Sequence, residues 1–163
     1  MRYDGWDTHN GQYGRISGNL SALFGATGGL ATAMSEINLL PASGAPVADQ
    51  LMFCFTSDFG RQLRANGDRG TDHGRGIYTI LVGTDVNGGV YGEMFPEREA
   101  NLDGNGRIPL QTSGADIEGR TSTELVLGKV CEWAQPSSSG AVFPDANPSD
   151  VESPGLLDNL LST

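Results

Sequence analysis

Two short runs, Leu51 to Thr56 and Ile77 to Val82, are nearly continuous in apolar character and are separated by a stretch of glycines and charges. Strands with one solvated face alternate apolar and polar residues, whereas strands covered on both faces do not. The two runs therefore predict strands buried on both sides, and with them an α/β fold built on a mainly parallel sheet with flanking helices. A third short run, Val90 and Tyr91, follows the Asn87-Gly88-Gly89 turn.

Apolar residues at Ile16, Leu20, Leu23, Phe24, Leu30, Met34 and Ile37 keep helical spacing, interrupted by Gly25, Gly28 and Gly29. One broken helix or two short ones are expected, ended by Pro41. Thr121 and Glu124 read as a capping box, and Val126, Leu127, Val130, Cys131 and Ala134 form the apolar face of a helix that stops before Pro136. Beyond Gln135 the chain is rich in Ser, Pro and Asp. Loops are expected there, with "VFP" at 142–144 touching the core and "LLDNLL" at 156–161 as a short final helix. One unit of 1–135 with a Pro/Ser-rich tail, 136–163, packed on it is the expected organisation.

The length of 163 residues and a hydrophobic share of 37% suit one domain with a modest core. Ten Lys and Arg against twenty Asp and Glu give a net charge of −10, a field that repels phosphate backbones and anionic lipid. Nucleic acid and membrane surfaces are thereby disfavoured as partners. No apolar run reaches the roughly 18 residues of a membrane span, and the polar start "MRYDGWDTHNGQ" is no export signal. Cys54 and Cys131 lie far apart without a CxxC pattern, so two buried free thiols are expected.

Three places hold residues that bind metals or move protons: "WDTH" with Asp7 and His9, "TSDFGR" with Ser57, Asp58 and Arg61, and "GTDHG" with Asp72 and His73. Both histidines of the protein stand within two residues of an aspartate. Imidazole and carboxylate together suit zinc, manganese or iron, and a neighbouring carboxylate can fix the tautomer of a ligating histidine. Asp58 falls at the end of the first apolar run, where ligands collect in open α/β sheets. Plain readings stand beside these: His9 as a surface residue, Asp58 as the N-cap of a helix over "FGRQLR", and "GTDHG" as a tight turn. "DGNGR" at 103–107 opens like a calcium loop, but Arg107 replaces the next ligand, and it reads as a turn.

With these residues in view, "GWDTHNGQ" followed by "FTSDFGRQLRANGDRGTDHGRGIYTILVGTDVNGGVYGE" resembles the DUF1501 family, whose pattern runs GGWDTH, SEFGRT, NG-GTDHG-G, an apolar strand, then GGGV-GG and YG. The weaker "DIEGRTSTELVLGKVCEW" and "VFP" fit the end of that pattern. By this resemblance the chain is related to the alkaline phosphatase and sulfatase superfamily, and a metal-dependent hydrolase of small anionic phosphate or sulfate esters is implied. The resemblance implies one or two divalent transition metal ions, with Asp7, His9 and His73 on the first and Asp58 near a second. Asp72 is then a direct ligand or a partner behind one, and Arg61 touches a substrate oxyanion or pairs with a carboxylate.

The superfamily draws its nucleophile from the N-terminal half of the fold. By that comparison the chain corresponds to a C-terminal portion lacking that half, with self-association or pairing to the missing half as a corollary. A periplasmic or cell-envelope location is likewise implied by resemblance alone. The alternative is a non-catalytic α/β module that binds a partner or builds an assembly.

Overall fold

The computed structural model describes residues 4–93 and 119–162. Helix α1 (Gln12–Phe24) and helix α2 (Gly29–Ile37) are followed by a 3-10 turn at Val47–Gln50. Four strands come next, β1 (Met52–Phe55), β2 (Gly60–Ala65), β3 (Thr71–Gly74) and β4 (Ile80–Gly83), and then helices α3 (Thr123–Ala134) and α4 (Ser139–Val142). The "DGNGR" turn lies outside the described residues.

The apolar spacing does produce two helices, which part at the glycines: the Gly25 amide closes onto Ser21 O at 2.9 Å and the Gly28 amide onto Gly25 O at 2.8 Å. Helix α3 ends before Pro136 as its pattern predicts, but its cap is shifted by one residue. Ser122 is the N-cap, its Oγ accepting from the Glu124 amide at 3.2 Å, while Thr121 Oγ1 accepts from the Glu152 amide instead.

The parallel sheet is not what forms. Among the described residues there are two two-stranded sheets, β1 with β4 and β2 with β3, and both are antiparallel. Parallel strands need a crossover of a dozen or more residues, usually a helix. Here the chain between Phe55 and Ile80 holds the β2–β3 hairpin, which turns back on itself and delivers β4 antiparallel to β1. Nor are the apolar runs covered on both faces: Cys54, Ile80 and Val82 are exposed, and the expectation of an alkaline phosphatase-like parallel α/β architecture fails with them. The Val90–Tyr91 run is no strand either, and "FGRQLR" is strand rather than helix.

Apolar burial is concentrated at the C-terminal end of the chain. Leu157 and Leu160 are the buried hydrophobic residues among those described, and they sit in consecutive turns, not in the expected final helix. Those turns are laced to the loop after β4. The Asn87 amide donates to Leu160 O at 3.1 Å, Tyr91 Oη to Asn159 O at 2.8 Å, and the Ser162 amide to Asp85 O at 2.8 Å. Trp133 of α3 closes the group by donating Nε1–H to Asp85 Oδ2 at 2.7 Å. A cavity of about 560 Å³ opens between Ile80, Val90, Val126 and Leu156, and none of Asp7, His9 or His73 lines it. Both cysteines are free as expected, but Cys54 is exposed and Cys131 only half-buried.

Candidate metal centre

The β2–β3 hairpin carries half of the site. Its register sets Arg61 opposite His73, so the two side chains share a face, as directly opposed residues of an antiparallel pair do. Phe59, just ahead of β2, stacks on the His73 ring with centroids 4.0 Å apart and planes 21° apart, which limits the tilt of the imidazole.

The other half comes from the segment of residues 4–11, laid along the hairpin. The Thr71 amide donates to Thr8 O at 3.4 Å, Arg61 to Trp6 O at 3.3 Å and Asn66 Nδ2 to His9 O at 2.8 Å. The amides of Gly11 and Gln12, at the uncapped start of α1, donate to Asp68 O and Arg69 O of the hairpin loop at 3.2 and 2.9 Å. These are the donors a helix N-terminus otherwise leaves without partners. Gly70 permits the close approach, because a Cβ there would stand 2.2 Å from His9 C and 2.3 Å from His9 O. Gly60 does the same at the other end, facing Gly76 O across a gap in which a Cβ would lie at 1.7 Å. Thr8 is fully buried in this seam, and its hydroxyl, that of Thr71 and Arg61 Nε are buried without a hydrogen-bond partner.

Three donor atoms meet above the seam. His73 Nε2 is 2.9 Å from Asp7 Oδ1, His9 Nε2 is 3.1 Å from the same oxygen, and the two Nε2 atoms are 3.2 Å apart. Ligands bound to one ion at about 2.0–2.1 Å stand roughly 2.9 Å apart at right angles and 3.4 Å apart at the tetrahedral angle. All three separations fall inside that interval, so the donor set fits a single transition-metal ion. Asp7, His9 and His73 are each about half exposed, which leaves the outer side of the triangle open to solvent.

The surrounding charges favour this arrangement. The hydrogen bond from His73 holds the Asp7 carboxyl below its ordinary value, helped by the charges of His9, His73 and Arg61 and opposed by partial desolvation. Arg61 is largely covered and committed inward, donating to Asp7 Oδ1 at 2.7 Å and to Thr71 O at 2.7 Å. Of its two expected roles, pairing with a carboxylate is the one the geometry displays. Asp72 stands behind the triangle with Oδ1 3.4 Å from His9 Nδ1, the ring nitrogen that faces away from Asp7. Asp58 is exposed in the turn before β2 and does not join the converging donors.

The site thus brings together Asp7, His9, His73, Asp72 and Arg61, and leaves Asp58 outside. Asn66 and Phe59 support it without having been singled out by residue type. For Asn66 the available signal is its place before glycine at a hairpin tip, and for Phe59 it is an aromatic two residues ahead of Arg61, just before the strand that faces His73.

A solvent-open two-histidine, one-carboxylate cluster at the seam between an antiparallel hairpin and the segment before α1 is the class of site defined here. The chain belongs to the family described as Protein of unknown function (DUF1501), which matches residues 1–103 and so takes in every residue of the cluster. No curated protein and no solved structure matches the chain.

Proposed function

We propose that the chain holds one divalent transition metal ion, zinc, manganese or iron, on Asp7 Oδ1, His9 Nε2 and His73 Nε2, and serves the metal-dependent hydrolysis of small phosphate or sulfate esters. The single observation that carries the proposal is the convergence of these three donors, 2.9 to 3.2 Å apart, on the solvent-facing side of the hairpin. Two His and one carboxylate with open positions are a ligand set used by zinc hydrolases and by iron(II) enzymes alike. The reading takes over the chemistry of alkaline phosphatase and sulfatase enzymes and not their parallel sheet. A periplasmic or envelope location goes with it; among the described residues no helix is long and apolar enough to cross a membrane.

A bound ion there supplies Lewis-acid polarisation of an ester oxygen and makes a coordinated water more acidic. Arg61 fixes the Asp7 carboxylate by a charge-assisted bond, so that Oδ1 faces both imidazoles. Asp72 accepts a hydrogen bond from His9 Nδ1–H, which would leave the Nε2 lone pair free to bind an ion. Phe59 holds the His73 plane. Thr8 is too deeply buried to reach substrate, and Ser57 donates its hydroxyl to Phe59 O at 2.8 Å, so neither is placed as a nucleophile here.

The test is elemental analysis of the purified chain, prepared without chelator, beside His73→Ala. About one equivalent of zinc, manganese or iron in the first sample and none in the second supports the site and justifies assays on phosphate and sulfate esters. Equal, negligible metal in both removes the proposal.

A second reading, a partner-binding module, draws on a separate observation. Strands β1 and β4 pair only with each other among the described residues and expose Cys54, Ile80 and Val82. Free strand edges beside apolar side chains recruit further strands. Sedimentation showing a monomer at all concentrations would count against self-association.

A further inference from the structure

Asn66 uses its whole hydrogen-bonding capacity. Its Oδ1 accepts from the amides of Asp68 at 3.0 Å and Gly70 at 3.3 Å, and its Nδ2 donates to His9 O at 2.8 Å and to Asp72 Oδ1 at 3.3 Å. An asparagine side chain has two lone pairs and two N–H groups, so none is left over. The amide orientation follows from the network: turned over, its N–H groups would face the two backbone N–H groups and its oxygen would face a carbonyl and a carboxylate.

We propose that Asn66 is a positioning residue that sets the tautomer of His9 through Asp72. The acceptors around His9 decide this. In the metal-free chain Asp7 Oδ1 accepts from Arg61 at 2.7 Å and stands 2.9 Å from His73 Nε2, so that with His73 protonated there its two lone pairs are taken, a proton that leaves if His73 binds an ion. With His73 Nε2, 3.2 Å from His9 Nε2, protonated toward Asp7, Asp72 Oδ1 is the acceptor left for the His9 ring, and Asn66 holds it there while also tethering the His9 backbone. With the proton on Nδ1, the Nε2 lone pair points into the triangle. Removing the Nδ2 donors frees Asp72 to swing toward solvent, where its carboxylate is already about half exposed. The consequence for metal affinity rests on the metal reading above; the consequence for the ring does not require an ion.

Asn66→Asp separates this role from the hairpin turn. The carboxylate keeps an oxygen for the Asp68 and Gly70 amides, but it sets negative charge against His9 O and Asp72 in place of two donors. The experiment records the ring nitrogen shifts of the two histidines in the full chain by nitrogen-15 NMR, metal-free, at a pH where imidazole is neutral, with His73→Ala to assign them. Wild type is expected to show His9 protonated on Nδ1, and Asn66→Asp to move His9 toward the Nε2 tautomer with the backbone amide spectrum elsewhere unchanged. Cobalt(II) titration of the same samples is expected to show about a 10–100-fold loss of affinity, the usual effect of removing a group behind a metal ligand.

A wild-type tautomer that persists in Asn66→Asp overturns the proposal. So does a wild-type His9 already protonated on Nε2. Should Asn66→Asp fail to fold, Asp72→Ala decides, because it removes the acceptor and must give the same shift. Cobalt that binds neither wild type nor variant defeats the metal reading, while the tautomer result still judges Asn66.

Discussion

Asp7 Oδ1 lies 2.9 Å from His73 Nε2, although 66 residues separate the two in sequence. With Arg61 on the same oxygen, this contact makes Asp7 the residue on which both halves of the site close.

Acid should undo that contact in a predictable window. The Asp7 carboxyl is held below its ordinary value first by the hydrogen bond from His73, with the charges of His9, His73 and Arg61 adding to it. A carboxyl depressed by folding contributes stability that is fully present above its unfolded value, about 3.9, and is lost as pH falls through the lower folded value. Thermal melts of the metal-free chain should show this acid slope, and Asp7→Asn should flatten it. Equal slopes in both proteins would show that the contact carries no linkage.

Gly70→Ala should separate the two halves. A methyl group at 70 meets the His9 carbonyl carbon and oxygen at 2.2 and 2.3 Å, so the segment 4–11 must lift off the hairpin. Overpacking of this kind costs about 1–3 kcal/mol. Urea denaturation should report the loss, and metal uptake should fall with it.

Chelation should lower the melting temperature of the loaded chain. A ligand that binds only the folded state at a hundred times its dissociation constant contributes about 2.7 kcal/mol. Calorimetry before and after a chelator measures this, and His73→Ala should melt identically in both conditions.

How much of this was readable from the chain alone varies by element. Helices α1, α2 and α3 declare themselves by period, since Ile16, Leu20 and Leu23 in the first, Leu30, Met34 and Ile37 in the second, and Leu127, Val130 and Ala134 in the third each keep helical spacing. The positions of β1 and β4 are equally plain, but their direction is not. A four-residue apolar strand carries no mark of its neighbour's orientation, and continuity of apolar residues misled because Cys54, Ile80 and Val82 in fact remain exposed. The hairpin β2–β3 is hidden for another reason. Apart from Leu63, Ala65 and Thr71 its strand residues are Gly, Arg, Gln, Asp and His, and it is held by Arg61, by glycine seams and by a segment more than fifty residues away. Asp7, His9 and His73 are legible by type and by family pattern. Asn66 is not, because its role exists only once the loop has placed His9 and Asp72 on the same side of it.

Trp133→Phe should loosen the C-terminal clamp. It leaves Asp85 Oδ2 without the 2.7 Å donor that ties α3 to the loop after β4. Loss of a hydrogen bond to a charged group costs about 1.5–3 kcal/mol. The variant keeps Trp6 as its sole tryptophan, beside the candidate metal centre, so fluorescence-detected unfolding reads the distant end of the molecule.

Cys54 should be the first thiol to label. It is exposed while Cys131 is half-buried, yet partial desolvation raises the Cys54 thiol above its usual value. Iodoacetamide labelling should therefore be slow at neutral pH and should still be accelerating beyond the usual cysteine range of about 8.5. Mass spectrometry of the peptides distinguishes the two sites.

The hairpin places the third donor late in the order of synthesis. His9 leaves the ribosome 64 residues ahead of His73, and the pair Asp7 and His9 has nothing to close around until the 66–70 turn has formed. A growing chain therefore holds two of the three candidate donors well before the third is made. On the proposed metal reading, loading would be a late event, and a bound ion would certify that the hairpin behind it is finished.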